Sequence, residues 1–211
     1  MKIKRFEFNM FPENCYVLWD ETNEAVVIDP GCFYEEEKQT LKNFIIKNGL
    51  NVKHLLNTHL HLDHIFGNPF MLKEFGLKAE ANQADEFWID EAPKQSRMFG
   101  FQLQEAPCPG HLSARWRHHH LRQYRTGSHP CAGTLARQPG VLLRGRPLHV
   151  LGGCAVSRQH RPCDLTGGNF DELIEHICSR LFILPNDTIV YPGHGAPTTI
   201  GIEKAENPFF R

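Results

Sequence analysis

Short apolar runs broken by turn residues fill the first thirty positions. Ile3 to Phe8, Cys15 to Trp19 and Ala25 to Ile28 read as three strands. Phe11-Pro12-Glu13-Asn14 and Glu21-Thr22-Asn23 are the turns between them. The period becomes helical over Glu35 to Lys47, where Leu41, Phe44 and Ile45 share a face. Glu35-Glu36-Glu37 suit the positive end of that helix dipole, and Asn48-Gly49 stops it. A short buried strand, Val52 to Asn57, comes next, followed by helices around Pro69 to Phe75 and near Ala84 to Asp90. Much later, Phe170 to Leu181 puts Leu173, Ile174, Ile177 and Leu181 on one helical face, and Thr188 to Tyr191 form a last strand. Strands that first follow one another and then alternate with helices predict an α/β fold, an αβ/βα sandwich of two mixed β-sheets with outer helices. At 211 residues the chain is one domain's worth, with ample length for a core.

Charge and cysteine usage narrow the setting. A net charge of -1 predicts affinity for neither nucleic acid nor an anionic membrane. Met1 to Phe11 carry charges without an apolar run, so no signal peptide is expected, and no stretch is long enough to cross a bilayer. Seven cysteines, an odd number without paired spacing, point to a reducing compartment, and the cytoplasm is the expectation.

The chemistry concentrates in Thr58-His59-Leu60-His61-Leu62-Asp63-His64, four metal-ligand side chains within six residues at the end of a buried strand. Alternation turns His59 and His61 to one side, able to grip one cation, while Leu60 and Leu62 anchor the loop. Asp63 and His64 follow too closely to join the same tetrahedron but are well placed for a second ion. His54 and His176 have no companions at metal spacing, and Cys15, Cys32 and Cys178 read as small apolar fillers.

This heptad resembles the signature of the metallo-β-lactamase-fold hydrolases. Ala25-Val26-Val27-Ile28-Asp29-Pro30-Gly31 is similar to the family's strand ending in an Asp-Pro-Gly turn, and Tyr191-Pro192-Gly193-His194-Gly195 to its late metal-histidine loop. The tail from Thr198-Thr199-Ile200-Gly201 to Asn207-Pro208-Phe209 resembles the glyoxalase II-like branch, which hydrolyses glutathione thioesters. The resemblance covers residues 1–107 and 164–211. It implies two zinc ions, with iron or manganese as alternatives: His59 and His61 on the first, Asp63, His64 and His194 on the second. It also makes Asp63 the catalytic candidate. A metal-bound hydroxide would attack a small-molecule thioester such as a hydroxyacyl-glutathione, its carbonyl polarised by the same ions. Asp29 either holds a ligand histidine from behind or merely forms its turn. A mononuclear-iron persulfide dioxygenase shares the implied fold and is the alternative activity. A third reading is a catalytically impaired product.

Residues 108–163 do not fit. This 56-residue window holds nine arginines, seven histidines and four cysteines but no Asp, Glu or Lys. A solvated surface mixes both signs and uses lysine freely. Reading the codons one base out of register offers a cause. The pairs from Ala132-Gly133 to Gln138-Pro139 then permit Pro-Gly-His-Ser-Pro-Gly-Ser, which resembles the family's central metal-histidine motif. Gly152-Gly153 to Val156-Ser157 permit Gly-Asp-Val-Leu-Phe, and Arg158-Gln159 to Pro162-Cys163 permit Gly-Ser-Ile-Gly-Arg, joining directly onto Asp164-Leu165. On this reading the first ion's third histidine and a bridging aspartate are lost, the second half of the fold is disrupted, and irregular or poorly buried chain is expected there. Pro109-Gly110-His111 imitates the metal motif but lies too early to supply a ligand. The rival reading, a genuine insertion with its own zinc site, lacks paired Cys or His spacing.

Overall fold

The computed structural model describes residues 1–103, 110–113, 118–121, 124–130, 139–143, 148–151, 174–175 and 177–210. Two six-stranded sheets form the sandwich. In the first, β1 (Lys2–Phe8), β2 (Glu13–Trp19) and β3 (Glu24–Ile28) are antiparallel neighbours. β4 (Asn51–Leu56), β5 (Ala79–Asn82) and β6 (His111–Ser113) then add on in parallel. The second sheet runs in the order β12 (Thr198–Thr199), β11 (Ile189–Pro192), β10 (Leu148–Leu151), β9 (Pro139–Leu143), β8 (Tyr124–Pro130) and β7 (His118–Leu121). Its pairs are antiparallel except β10 with β11, so both sheets are mixed. The α-helices whose bounds lie among the described residues are α1 (Glu35–Lys47), α2 (Leu62–Ile65), α3 (Asn68–Phe75), α4 (Phe87–Met98) and α5 (Ile200–Glu206). None of them is long and apolar enough to cross a membrane.

Strict alternation explains why the first sheet is buried on both faces. Cys15 and Val17 of β2, Val27 of β3 and Leu55 of β4 pack outward with Leu41 and Ile45 of α1 and with Phe70 and Met71 of α3. Their neighbours Tyr16, Leu18, Val26, Ile28 and Leu56 pack together on the other face, where Tyr191 of the second sheet joins them. Val190, Ile200, Ile177 and Leu181 form a separate cluster under the second sheet. Glu37 fixes the start of α1, accepting from Phe33 N at 2.8 Å, Tyr34 N at 3.0 Å and Asn9 N at 2.7 Å. The last bond ties the helix to the β1–β2 turn, one wall of the site described below.

Three expectations need correction. The window is not irregular where it is described: β6 to β10 all lie within residues 108–163, and β7 to β10 are four of the six strands of the second sheet. Strand pairing is made by backbone N–H and C=O groups, which nearly every residue carries whatever its side chain. Val141-Leu142-Leu143 and the apolar positions of Leu148–Leu151 are moreover ordinary strand residues. Second, Cys178 is exposed rather than a core filler, whereas Cys15 and Cys32 are buried. Third, α4 runs on to Met98 with Pro93 inside it, beyond the stop expected near Asp90. Residues 170–173 and His176 of the Phe170–Leu181 segment lie outside the described residues.

Candidate metal centre

The heptad leaves β4 as an extended loop and re-enters helix at Leu62, so its side chains fan out over the end of the first sheet. His59 and His64 are both 1% exposed and their rings lie 4.1 Å apart. His194 arrives from the loop after β11. Five bonds from the first sheet hold that loop: Asn14 N donates to Gly193 O at 2.8 Å, Asn14 Nδ2 donates to Pro192 O at 2.9 Å and to Gly195 O at 2.8 Å, Tyr16 Oη donates to Pro192 O at 2.5 Å, and Arg5 Nη1 donates to Gly195 O at 2.8 Å.

Which nitrogen of each ring carries hydrogen follows from what it faces. His194 Nδ1 lies 2.9 Å from Phe11 O and 3.2 Å from Pro12 O, acceptors only, so Nδ1 is the donor and Nε2 keeps its lone pair. His64 Nδ1 lies 3.1 Å from Asp29 Oδ2, which again leaves Nε2 as the lone-pair atom. Thr58 Oγ1 donates to Asp29 Oδ2 at 2.5 Å and must therefore accept from His59 Nδ1 at 3.1 Å. His59 Nε2 is then also a lone-pair atom.

These lone pairs face each other. His64 Nε2 and His194 Nε2 are 3.1 Å apart, and Asp63 Oδ2 lies 3.1 Å from His194 Nε2 and 3.7 Å from His64 Nε2. Donors bound to a tetrahedral zinc stand about 3.3 Å from one another, so the three atoms have the spacing of one cation's ligands. Three electron-rich atoms turned inward repel one another unless a cation lies among them; the residues fit a divalent metal. Without a cation, protons take its place: burial pushes the Asp63 carboxyl up, but the charges of protonated His64, His194 and His61 and a hydrogen bond from protonated His194 outweigh it. The carboxyl is held well below the usual range. His59 Nε2 and His61 Nδ1, 2.9 Å apart, form a second facing pair beside the first group. Among the described residues no third histidine, cysteine or carboxylate completes a group around that pair.

Asp29, His59 and His64 also lie close enough to suggest a cation between them. The hydrogens argue otherwise, because the nitrogens facing Asp29 are the donor sides of the rings. Asp29 sits behind the metal donors and fixes two tautomers, and it accepts from Thr58 N at 2.7 Å as well. It does so at φ 48°, a left-handed backbone that ends β3 abruptly.

Several residues here carry no sequence motif. Asn9 Nδ2 donates to Asp63 O at 3.0 Å and to Gly31 O at 2.8 Å. Asn57 Nδ2 donates to His64 O at 3.2 Å and is itself held through Oδ1 by Asn68. Trp88 stands perpendicular to His61 with ring centroids 4.6 Å apart. Glu13 is fully buried, 3.8 Å from His64 Nδ1; burial first, then Asp29 and Asp63, push its carboxyl well up. Asparagine before a site and tryptophan in an amphipathic helix are too common to have signalled these roles. His111 is exposed on β6 and joins neither group, and His54 pairs with Glu80 at 2.9 Å.

A family model, the Metallo-beta-lactamase superfamily, matches residues 9–153. The chain belongs to this superfamily. It is 31% identical to the hydroxyacylglutathione hydrolase GloC of Haemophilus influenzae, over 99% of this chain and 98% of that protein. Among solved structures of the superfamily fold, the BLEG-1 B3 metallo-beta-lactamase superimposes with a TM-score of 0.87 at 25% identity, covering 99% of both chains. TTHA1623 in a di-iron-bound form gives 0.81 at 24% identity, covering 98% of this chain and 99% of that one. As a superfamily member the chain is a metal-binding hydrolase by family, with the αβ/βα architecture expected from its pattern.

Proposed function

We propose that this chain is built to hydrolyse a small-molecule thioester such as a hydroxyacyl-glutathione, in the cytoplasm, with divalent cations at His59, His61, Asp63, His64 and His194. Zinc is the first choice of metal on the imidazole and carboxylate donors. One observation carries the reading: the lone pairs of His64, His194 and Asp63 converge on a single point. The likeness to a hydroxyacylglutathione hydrolase over the whole chain supports the choice of bond. Bound cations would supply an acidified water and a Lewis acid for the thioester carbonyl. This chain's residues do the rest. Asp29 and Thr58 keep the ring nitrogens in their metal-facing tautomers, the Phe11 and Pro12 carbonyls do so for His194, and Asn9 and Asn57 fix the backbone of Asp63 and His64.

The one-base reading of residues 108–163 belongs to this proposal. It supplies the histidine and aspartate that would complete the first ion's shell and bridge the pair. The DNA sequence across codons 105–165 tests it directly. The activity is tested by measuring bound metal and the hydrolysis of a hydroxyacyl-glutathione. Metal-dependent turnover is expected from the frame-restored chain. One iron with persulfide-dependent oxygen uptake would replace this reading with the dioxygenase.

A further inference from the structure

Five phenylalanines meet beside the metal centre, and the functional reading uses none of their rings. Phe33 lies 4.8 Å from Phe66 and 5.5 Å from Phe101, and Phe66 lies 5.6 Å from Phe101. Phe11 joins at 5.0 Å from Phe99 and 6.3 Å from Phe101. The contacts are tilted or edge-on, the arrangement in which aromatic quadrupoles attract, so the group is a preformed wall. Yet it is not core. Phe99 is 53% exposed and the other four rings are only half-buried.

The group's position is set by the metal centre. Phe66 stands two residues after His64, and Phe33 two residues after Gly31, whose carbonyl shares the Asn9 amide with that of Asp63. Phe11 gives its own carbonyl to His194 Nδ1. Three segments that shape the second cation site therefore each contribute a ring to one apolar wall. Exposed aromatic surface continuous with a polar cluster is how a ligand site divides its work: the polar groups orient, the apolar wall supplies affinity.

We propose that Phe11, Phe33, Phe66, Phe99 and Phe101 form a subsite for an apolar group of the substrate, so that the site favours a thioester bearing an aryl or long alkyl group over one bearing a small hydroxyacyl group alone. This rests on the thioester reading and sharpens its substrate class. The test uses two non-hydrolysable thioethers of one thiol, S-methyl and S-benzyl, titrated calorimetrically into the metal-loaded full chain. The S-benzyl compound should bind at least about tenfold more tightly. Phe99→Ala, an exposed position that should leave folding intact, should remove most of that gain and leave S-methyl binding unchanged. Ile183→Ala, at a position 74% exposed and outside the wall, should change neither. Equal affinities, binding of neither compound, or a benzyl gain that survives Phe99→Ala would overturn the subsite. So would a wild-type dimer that Phe99→Ala dissociates in sedimentation, since the wall would then be covered by a second copy. Benzyl discrimination without thioester hydrolysis would keep the subsite and remove the reading beneath it.

Discussion

Asp29 acts on the candidate metals only through other side chains. Its carboxylate takes Thr58 N, Thr58 Oγ1 and the donor face of His64, and through Thr58 it also sets His59. Asp29→Asn keeps the size but removes the charge and one acceptor. Zinc affinity, measured by chelator competition, should fall about 10- to 100-fold with the fold retained. Asp85 offers a separate test at the same scale. It is 1% exposed, Oδ2 has no hydrogen-bond partner, and burial pushes the carboxyl up to about 7. In the unfolded chain it titrates near pH ~3.9. Between those values the unfolded state has released a proton that the folded state keeps, so this contribution is fully present below about pH 4 and lost as pH rises to 7. Asp85→Asn should remove that slope, and by pH 8 should exceed the wild type by at most about 4 kcal/mol at ~1.36 kcal/mol per unit. Urea unfolding of both proteins at pH 5 and pH 8 measures the difference.

At the scale of elements, the turn after β3 is closely packed. A Cβ built on Gly31 would overlap the Glu13 carboxylate, the Asp63 carbonyl and the Asn9 amide together. Gly31→Ala should therefore cost about 1–3 kcal/mol in thermal unfolding and weaken the second cation site, because one of the clashing atoms is Asp63 backbone. Glycine is required there by neighbours far away in sequence, and the Asp-Pro-Gly motif alone does not say so. Other elements were readable directly. β1 to β4 and α1 follow from alternation, a helical apolar face and the Asn48-Gly49 stop. β5 carries no strand signal because Ala79-Glu80-Ala81-Asn82 has no β-branched or aromatic residue, and β12 is only two residues long. Five candidate ligands were legible because metal chemistry restricts residue type and spacing. Glu13, Asn9 and Trp88 were not, since what they do depends on where the chain folds back.

For the whole molecule, the window decides what the chain can do. The described strands show that its backbone can complete the second sheet, but the first ion keeps only His59 and His61 among described residues. A catalytic zinc normally has three protein ligands. The chain as written should then bind at most one zinc and turn over a hydroxyacyl thioester poorly, while the chain with codons 108–163 shifted by one base should bind two and be active. Expressing both forms and measuring zinc and hydrolysis compares them directly. Equal metal and equal activity would make the window genuine.

Asp63 and His64 follow a strand of one sheet and His194 follows a strand of the other, 130 residues from His64. A cation held by all three can bind only while the two layers are closed, so occupancy reports closure. Apparent affinity is the intrinsic affinity scaled by the closed fraction. Any change that loosens the seam is then read out as weaker metal binding, even where no ligand is touched. Tyr16, with its hydroxyl on Pro192 O, gives the plainest case: Tyr16→Phe leaves every donor atom in place and removes one stitch. A layer that opens more often would let its metal go more often.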